Sequence, residues 1–228
     1  MKSFLGKKLL FITAHPDDES YVAAGTIYKN YEAGGKNMLV SASFGEKGKS
    51  HLKKPLSVAQ LKKVRKRELL AVGRFLHISP IKILGLPDGR LKQHTKVIFS
   101  KGVAFIKKYK PEIIVSFGKD GISGHYDHIT VGRIAERIAK KLNIPFIAFT
   151  IPPKITKNAI KWLKSRRTSK HYRSMVVYKK PTIKISIDPK VKKRALKLHK
   201  SQMDDKNAFT GFPEYVVKEL LKAEYFVS

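Results

Sequence analysis

Two rhythms of apolar positions run through this chain. Short apolar runs at 9–13, 38–44, 81–86, 113–117 and 145–151 predict buried strands. Between them, residues 21–32, 58–76, 97–109 and 130–142 repeat their apolar positions at helical spacing. The 58–76 stretch is the clearest, with Val58, Leu61, Val64, Leu69, Val72, Phe75 and Leu76 along one side. Farther on, 174–178 and 182–187 predict two more strands and 191–203 another helix. Strands alternating with helices predict an α/β fold, a Rossmann-like and mostly parallel sheet with helices on both faces. No linker or internal repeat interrupts the pattern, so residues 1–228 read as one domain.

In open α/β sheets, ligands gather at the carboxyl ends of the strands. The first strand empties into His15-Pro16-Asp17-Asp18-Glu19. The carboxylates can sit in the first turn of the next helix, where its dipole favours negative charge. That explains Glu19 as well as any function does. A cap needs one acceptor and no imidazole, so it leaves His15, Asp17 and Asp18 poorly explained. One imidazole and one carboxylate can ligate a divalent cation while a neighbouring carboxylate stays free to handle protons. The strand at 113–117 ends in a loop carrying His125-Tyr126-Asp127-His128. If the two strands are sheet neighbours, His15, Asp18 and His128 can converge as three ligands with an open fourth position. Spacing alone does not separate His125 from His128.

Other strand ends narrow the chemistry. Gly45-Glu46-Lys47-Gly48-Lys49-Ser50 is not the phosphate-loop pattern, and the first strand does not lead into G-x-G-x-x-G. Gly121-Ile122-Ser123-Gly124 is one residue short of the nucleophile elbow of serine hydrolases. Asp88, in the turn Pro87-Asp88-Gly89, lies on the active face and is a candidate acceptor for a substrate hydroxyl, or simply the turn aspartate. Arg65 and Glu68 stand three apart on the 58–76 helix and can pair there.

Taken together, these residues resemble the PIG-L/LmbE-like zinc-dependent N-deacetylases. The family's A-H-P-D-D-E motif stands intact at Ala14 to Glu19, and its H-P-D-H motif is present as His125-Tyr126-Asp127-His128, with tyrosine where proline is usual. Gly45-Glu46-Lys47-Gly48 is similar to its G-E-x-G loop, and Val64-Arg65 with Glu68 to its V-R-x-x-E helix. Leu84 to Gly89 matches the strand-turn after it, and His199-Lys200-Ser201-Gln202 its late H-x-S-Q segment. The resemblance implies removal of an acetyl group from an N-acetylglucosamine-type amino sugar, with Zn2+ or another divalent metal such as Fe2+ on His15, Asp18 and His128. It implies Asp17 as general base. It also implies that His125, held by a partner such as Asp127, stabilises the oxyanion and protonates the amine. Arg65 and Glu46 are then expected to contact substrate. His199 carries no implied role and reads as a surface histidine on its helix.

Composition changes the picture mainly through charge. Lys and Arg number 48 against 17 Asp and Glu, for a net charge of +31. A solvated lysine coat, nucleic-acid binding and an anionic substrate or carrier compete to explain it. The lysines are spread along the chain, so no sequence-specific nucleic-acid partner is expected. The basic stretches 47–54 and 154–173 can flank a pocket that takes an anionic or lipid-linked sugar, with peripheral contact to an anionic membrane. Trp162, inside the second stretch, reads as packing. There is no cysteine, no apolar run near the ~20 residues that cross a bilayer, and no room for a signal peptide before the first strand, so a cytoplasmic location is expected. Two rival readings remain open: a non-haem iron enzyme on the same ligands, and a basic nucleic-acid-binding α/β protein.

Overall fold

The computed structural model describes residues 4–158, 180–203 and 214–228. The predicted strand at 174–178, Trp162 and most of the basic stretch 154–173 lie outside the described residues. Seven strands form one sheet in the order β3-β2-β1-β4-β5-β7-β6. The strands are β1 (Lys8–Thr13), β2 (Lys36–Ser43), β3 (Ile78–Leu86), β4 (Ile113–Phe117), β5 (Phe146–Thr150), β6 (Ile183–Ser186) and β7 (Ala223–Val227). The first five are mutually parallel; β7 runs antiparallel to both β5 and β6. The expected Rossmann-like α/β architecture is therefore the observed one. Leu9 to Ile12 of β1 are all at most 2% exposed, the continuous burial that a parallel strand covered on both faces requires. Truncating Leu10 there to alanine carries the ~2–5 kcal/mol typical of such core deletions.

The chain winds outward from β1 in one direction through β2 and β3, then returns to β4 on the other side. Ile12 of β1 stands opposite Ser116 of β4 in the register. The two strands are sheet neighbours, as a shared site between their loops demands. Their carboxyl ends open at the point where strand order reverses, the place where open α/β sheets hold ligands.

The first two helices are α1 (Asp18–Val22) and α2 (Ala24–Glu32), broken at Ala23 where one helix was expected. The break has a tertiary cause. Glu224 of β7 accepts the Gly25 and Thr26 amides at 3.1 and 2.7 Å, capping α2 from another part of the chain. A buried Lys192 pairs with the same carboxylate at 3.1 Å. The long helix α3 (Val58–Phe75) starts with a capping box between Ser57 and Gln60 and buries Leu61, Leu69 and Val72. A 3-10 turn (Leu91–His94) leads into α4 (Thr95–Tyr109). Next, α5 (Tyr126–Leu142) begins four residues before its apolar period suggests, so the second motif rides on a helix's first turn and not on a loop.

Past β6, α6 (Pro189–Leu198) has Pro189 at its start and Asp188 as its cap, and it stops at His199. A 3-10 turn (Lys200–Gln202) replaces the expected continuation to 203. Neither α7 (Glu214–Lys222) nor β7 was expected from the sequence. Strand β7 follows α7 with no turn residue between them, so no local signal marks the change. Among the described residues, no helix is long and apolar enough to cross a membrane.

Candidate active site

The β1–α1 loop is held in an unusual shape. Asp17 has φ 110°, in the left-handed region that side-chain-bearing residues avoid, and its side chain makes no cap bond to α1. Asp18 instead folds back on the loop, where one carboxylate oxygen accepts the Ala14 and His15 amides at 3.0 and 2.8 Å. Its other oxygen faces His128 Nε2 at 3.2 Å. The His128 ring stacks on Phe117, with ring centres 4.1 Å apart and planes 7° apart. His15, Asp18 and His128 thus each offer one ligand atom, all within 4.8 Å of one another. His15, His125 and Asp127 form an overlapping group of the same kind.

Whether a metal suits the first group can be read from its supporting bonds. A ligating histidine normally donates its other ring N–H to a carboxylate or carbonyl, which fixes its orientation. His128 Nδ1 lies 3.2 Å from the Gly121 carbonyl, leaving Nε2 toward Asp18. His15 Nε2 lies 3.0 Å from Asp88 Oδ1 and 3.4 Å from Asp127, while Nδ1 faces Asp18 at 3.8 Å. Both rings have the expected partner behind them, and two neutral imidazoles with one carboxylate match a catalytic zinc donor set. The residues fit a divalent cation.

The electrostatics favour positive charge at this point, which a proton on His15 or a divalent cation in its place can supply. Burial pulls the His15 imidazole down, but its hydrogen bonds to Asp127, Asp18 and Asp88 outweigh it and hold the ring well above its ordinary value. Burial pushes the Asp18 carboxyl up, yet the His128 charge and bonds to both histidines carry it well below the usual carboxylate range. Cationic charge belongs at this point. Asp17 goes the other way. Burial and the neighbouring Asp18 raise it to about 6, against the opposing pull of Arg65.

Arg65 reaches the loop from α3. It donates to Asp17 Oδ2 at 2.8 Å and to the carbonyls of Pro16 and Gly45. Gly45 is required for that approach, because it has φ 64° and a Cβ there would stand 2.0 Å from the guanidinium. Arg65 and Glu68 do not pair with each other; Glu68 turns to Ser201 instead. The Asp127 carboxylate accepts the Gly89 and Leu91 amides at 2.6 and 3.1 Å, tying α5 to the Asp88 turn. It does not hold His125, as the sequence suggested. The Asp127 backbone N–H does, donating to His125 Nδ1 at 3.2 Å. In the neutral ring that leaves the proton on Nε2. Burial and the nearby His128 and His15 charges push the His125 pKa down, favouring the neutral form.

These groups meet in an open cleft of about 250 Å³, lined by His15, Asp17, Arg65, Asp88, Gly89 and His125, with Lys47 and Gly48. Asp88 spends its oxygens on His15 and on the Lys47 amide, the latter at 2.8 Å. Glu46 is not among the lining residues: it bonds the Asp88 amide at 3.4 Å and pairs with Lys62 at 3.2 Å. Lys47, read from sequence only as part of a basic loop, is a lining residue in its own right. His199, expected on the surface, is fully buried and bonded to Glu19 at 2.8 Å. Nothing in a single sequence signals a contact between residues that far apart.

The family described as PIG-L, GlcNAc-PI de-N-acetylase, matches residues 10–139. A Streptomyces avermitilis protein named as a 1D-myo-inositol 2-acetamido-2-deoxy-alpha-D-glucopyranoside deacetylase is 29% identical over 163 residues, covering 61% of this chain and 55% of the relative. The chain spans about half to three-fifths of the length of the curated relatives it matches. Among solved structures, the N,N'-diacetylchitobiose deacetylase of Pyrococcus horikoshii superimposes with a TM-score of 0.65 at 20% identity, covering 97% of this chain and 83% of that one. GalB, a 4-carboxy-2-hydroxymuconate hydratase from a Pseudomonas, gives 0.66 at 20% identity, covering 93% and 84%. At this identity such likeness establishes the fold alone, and that fold carries more than one chemistry.

Proposed function

Because the chain belongs to the PIG-L family, we propose that it is a metal-dependent amide hydrolase that removes the acetyl group from an N-acetylglucosamine-type amino sugar in a glycan, glycolipid or glycoside. One observation carries the reading: two motifs more than a hundred residues apart place His15, Asp18 and His128 within ligating distance, beside Asp17 and His125 in one cleft. These three residues would hold a divalent cation, Zn2+ first, which supplies Lewis acidity for water and for an amide carbonyl. Asp17, with its carboxyl at about 6, takes the proton from the attacking water. His125 Nε2–H donates to the carbonyl oxygen as negative charge develops there. The C–N bond then breaks, the nitrogen takes up a proton by way of His125, and acetate and a free amine leave. Arg65 holds Asp17 in place from one side of the cleft. Asp88 lines the same space, and the lone pairs left over from its bonds to His15 and the Lys47 amide accept a sugar hydroxyl. Glu46 acts at one remove, by bracing the Asp88 turn. A cytoplasmic location belongs to the same proposal, supported by a cysteine-free chain.

The reading is tested by incubating the purified, zinc-loaded protein with N-acetylglucosaminyl glycans, glycolipids and thiol glycosides, and measuring released primary amine. Turnover on at least one class is the expected outcome. No amine from any of them, with one metal bound per chain, would overturn it.

The charge points to the kind of sugar. Lys47 lines the cleft with its stem laid over Gly89, whose φ is 73° and whose missing Cβ leaves Nζ room. Among the ion pairs of the described residues, Lys47 has none, while Arg65 is committed to Asp17. A cation left over at the mouth suits a substrate with phosphate or carboxylate beyond the sugar ring, including a lipid-linked one at an anionic membrane. A hydrogen bond to a charged group supports roughly tenfold in affinity or more. Lys47→Met is therefore expected to raise KM about tenfold for a phosphorylated N-acetylglucosaminide and leave a neutral analogue unchanged. Turnover on the anionic substrate at sub-saturating concentration should also fall with salt. Equal salt dependence for both would reduce the +31 charge to a solvated coat.

A further inference from the structure

Asp17 is gripped at two points, and both grips lead to the same three-residue segment. The Asp17 backbone N–H, in its left-handed conformation, donates to Glu19 Oε2 at 3.1 Å. The other oxygen of Glu19 is held by His199 Nε2 at 2.8 Å and by Ser20 Oγ at 2.8 Å. Glu19, Ser20 and His199 are all fully buried. The Asp17 carboxylate is held by Arg65. One turn along α3, Glu68 receives both the backbone N–H and the hydroxyl of Ser201, each at 2.7 Å. The Ser201 carbonyl accepts the His51 amide at 2.9 Å, so the strand-end loop that carries Lys47 is tied in as well. His199 and Ser201 lie well outside residues 10–139, which carry the family match.

We propose that His199 is a positioning residue for Asp17: through the Glu19 carboxylate it holds the Asp17 backbone in the conformation that aims the carboxylate into the cleft, with Ser201 steadying the Arg65 helix as the second arm. The physical case rests on strain. A left-handed aspartate is strained and persists only where its surroundings over-determine it. Here a buried carboxylate accepts the very amide whose φ is unusual, and His199 keeps that carboxylate from turning away. Without His199, Glu19 Oε1 would keep only the Ser20 hydroxyl, and the carboxylate that holds the Asp17 amide would be freer to rotate.

The proposal rests on the deacetylase reading, so its test carries one readout that needs no turnover. Gln and Asn at position 199 are both small, polar and buried alike. The Gln amide nitrogen falls near the place of Nε2 and can still donate to Glu19; the Asn nitrogen falls near Nδ1 and cannot. In 1H–15N NMR of the zinc-loaded protein, the Asp17 amide should exchange slowly in wild type and His199→Gln, and quickly in His199→Asn. On a hydrolysed N-acetylglucosaminide, His199→Asn should lose about 10²-fold in kcat at unchanged KM and one metal per chain, the scale of a misplaced reacting group. His199→Gln should retain most of it, and Ser201→Ala, the variant gentlest on the fold, should lower kcat without changing KM. Equal amide exchange in the Gln and Asn variants overturns the proposal. So does equal loss of melting temperature, metal and activity in both, which is the mark of a packing role. If neither position-199 variant folds, an unchanged kcat in Ser201→Ala overturns it. Inactive wild type would sink the deacetylase reading and leave the amide exchange to judge the positioning.

Discussion

His128→Ala is expected to bind no zinc and to turn over no substrate, with the sheet intact. His128 supplies one of three ligand atoms in a group spanning 4.8 Å, and it packs on Phe117 at the rim of the core. With one ligand gone, two protein atoms remain, fewer than catalytic zinc sites use. Asp18→Ala should have the same result. It also frees the Ala14 and His15 amides that Asp18 satisfies, so some loss of melting temperature comes with it. His15→Ala should lose the metal too. Metal content by elemental analysis and far-ultraviolet circular dichroism on the same samples check both halves of the expectation. Full metal occupancy in His128→Ala would move the site to the overlapping group of His15, His125 and Asp127.

Asp17→Asn should keep one metal per chain and lose roughly 10²–10⁴-fold in kcat, the usual worth of a general base. The amide still accepts from Arg65, so the loop keeps its hold, while the proton-accepting charge is gone. His125→Ala should behave likewise, because its Nε2–H is the donor placed at the cleft. The pH profile carries the sign. Burial raises the Asp17 carboxyl from the usual carboxylate range to about 6. A general base acts in its ionised form, so with Asp17 in that role kcat/KM should fall as pH drops through that value, and a cation bound next door would draw the limb to lower pH. Loss of metal in Asp17→Asn with retention in Asp18→Asn would show that ligand and base are exchanged.

Much of this was legible in the chain because it is encoded locally. A buried parallel strand must be apolar throughout, and its functional residues must come immediately after it; LLFIT followed by His15 to Glu19 states both. The same held for Ile113 to Phe117, whose strand limits the structure reproduces. The start of α5 was misplaced because its first turn carries the polar residues Asp127 and His128 in place of a core stripe, so the expected helix began only at 130. The His125 cap on the Asp127 amide is the local signal for that earlier start.

Other features belong to tertiary structure alone. Glu224 breaks the first helix by capping it from the last strand, and no window of sequence around Ala23 contains that carboxylate. Arg65 and Glu68, suitably spaced to pair, separate because each finds a better-placed partner: Asp17 for one, Ser201 for the other. His199 changes from a surface histidine to a buried one because α6 ends just before it and folds its ring onto Glu19.

The sequence by itself determined the fold class, the two motifs and the donor types they bring to the strand ends, since strand burial and side-chain type are properties of neighbouring residues. Only the tertiary structure decided which histidine faces Asp18, what holds each imidazole, why Asp17 titrates late for a carboxylate, and which lysine reaches the cleft. Those depend on distances between segments far apart in the chain and on the burial they create together, and a carboxylate's pKa follows its surroundings, not its neighbours in sequence.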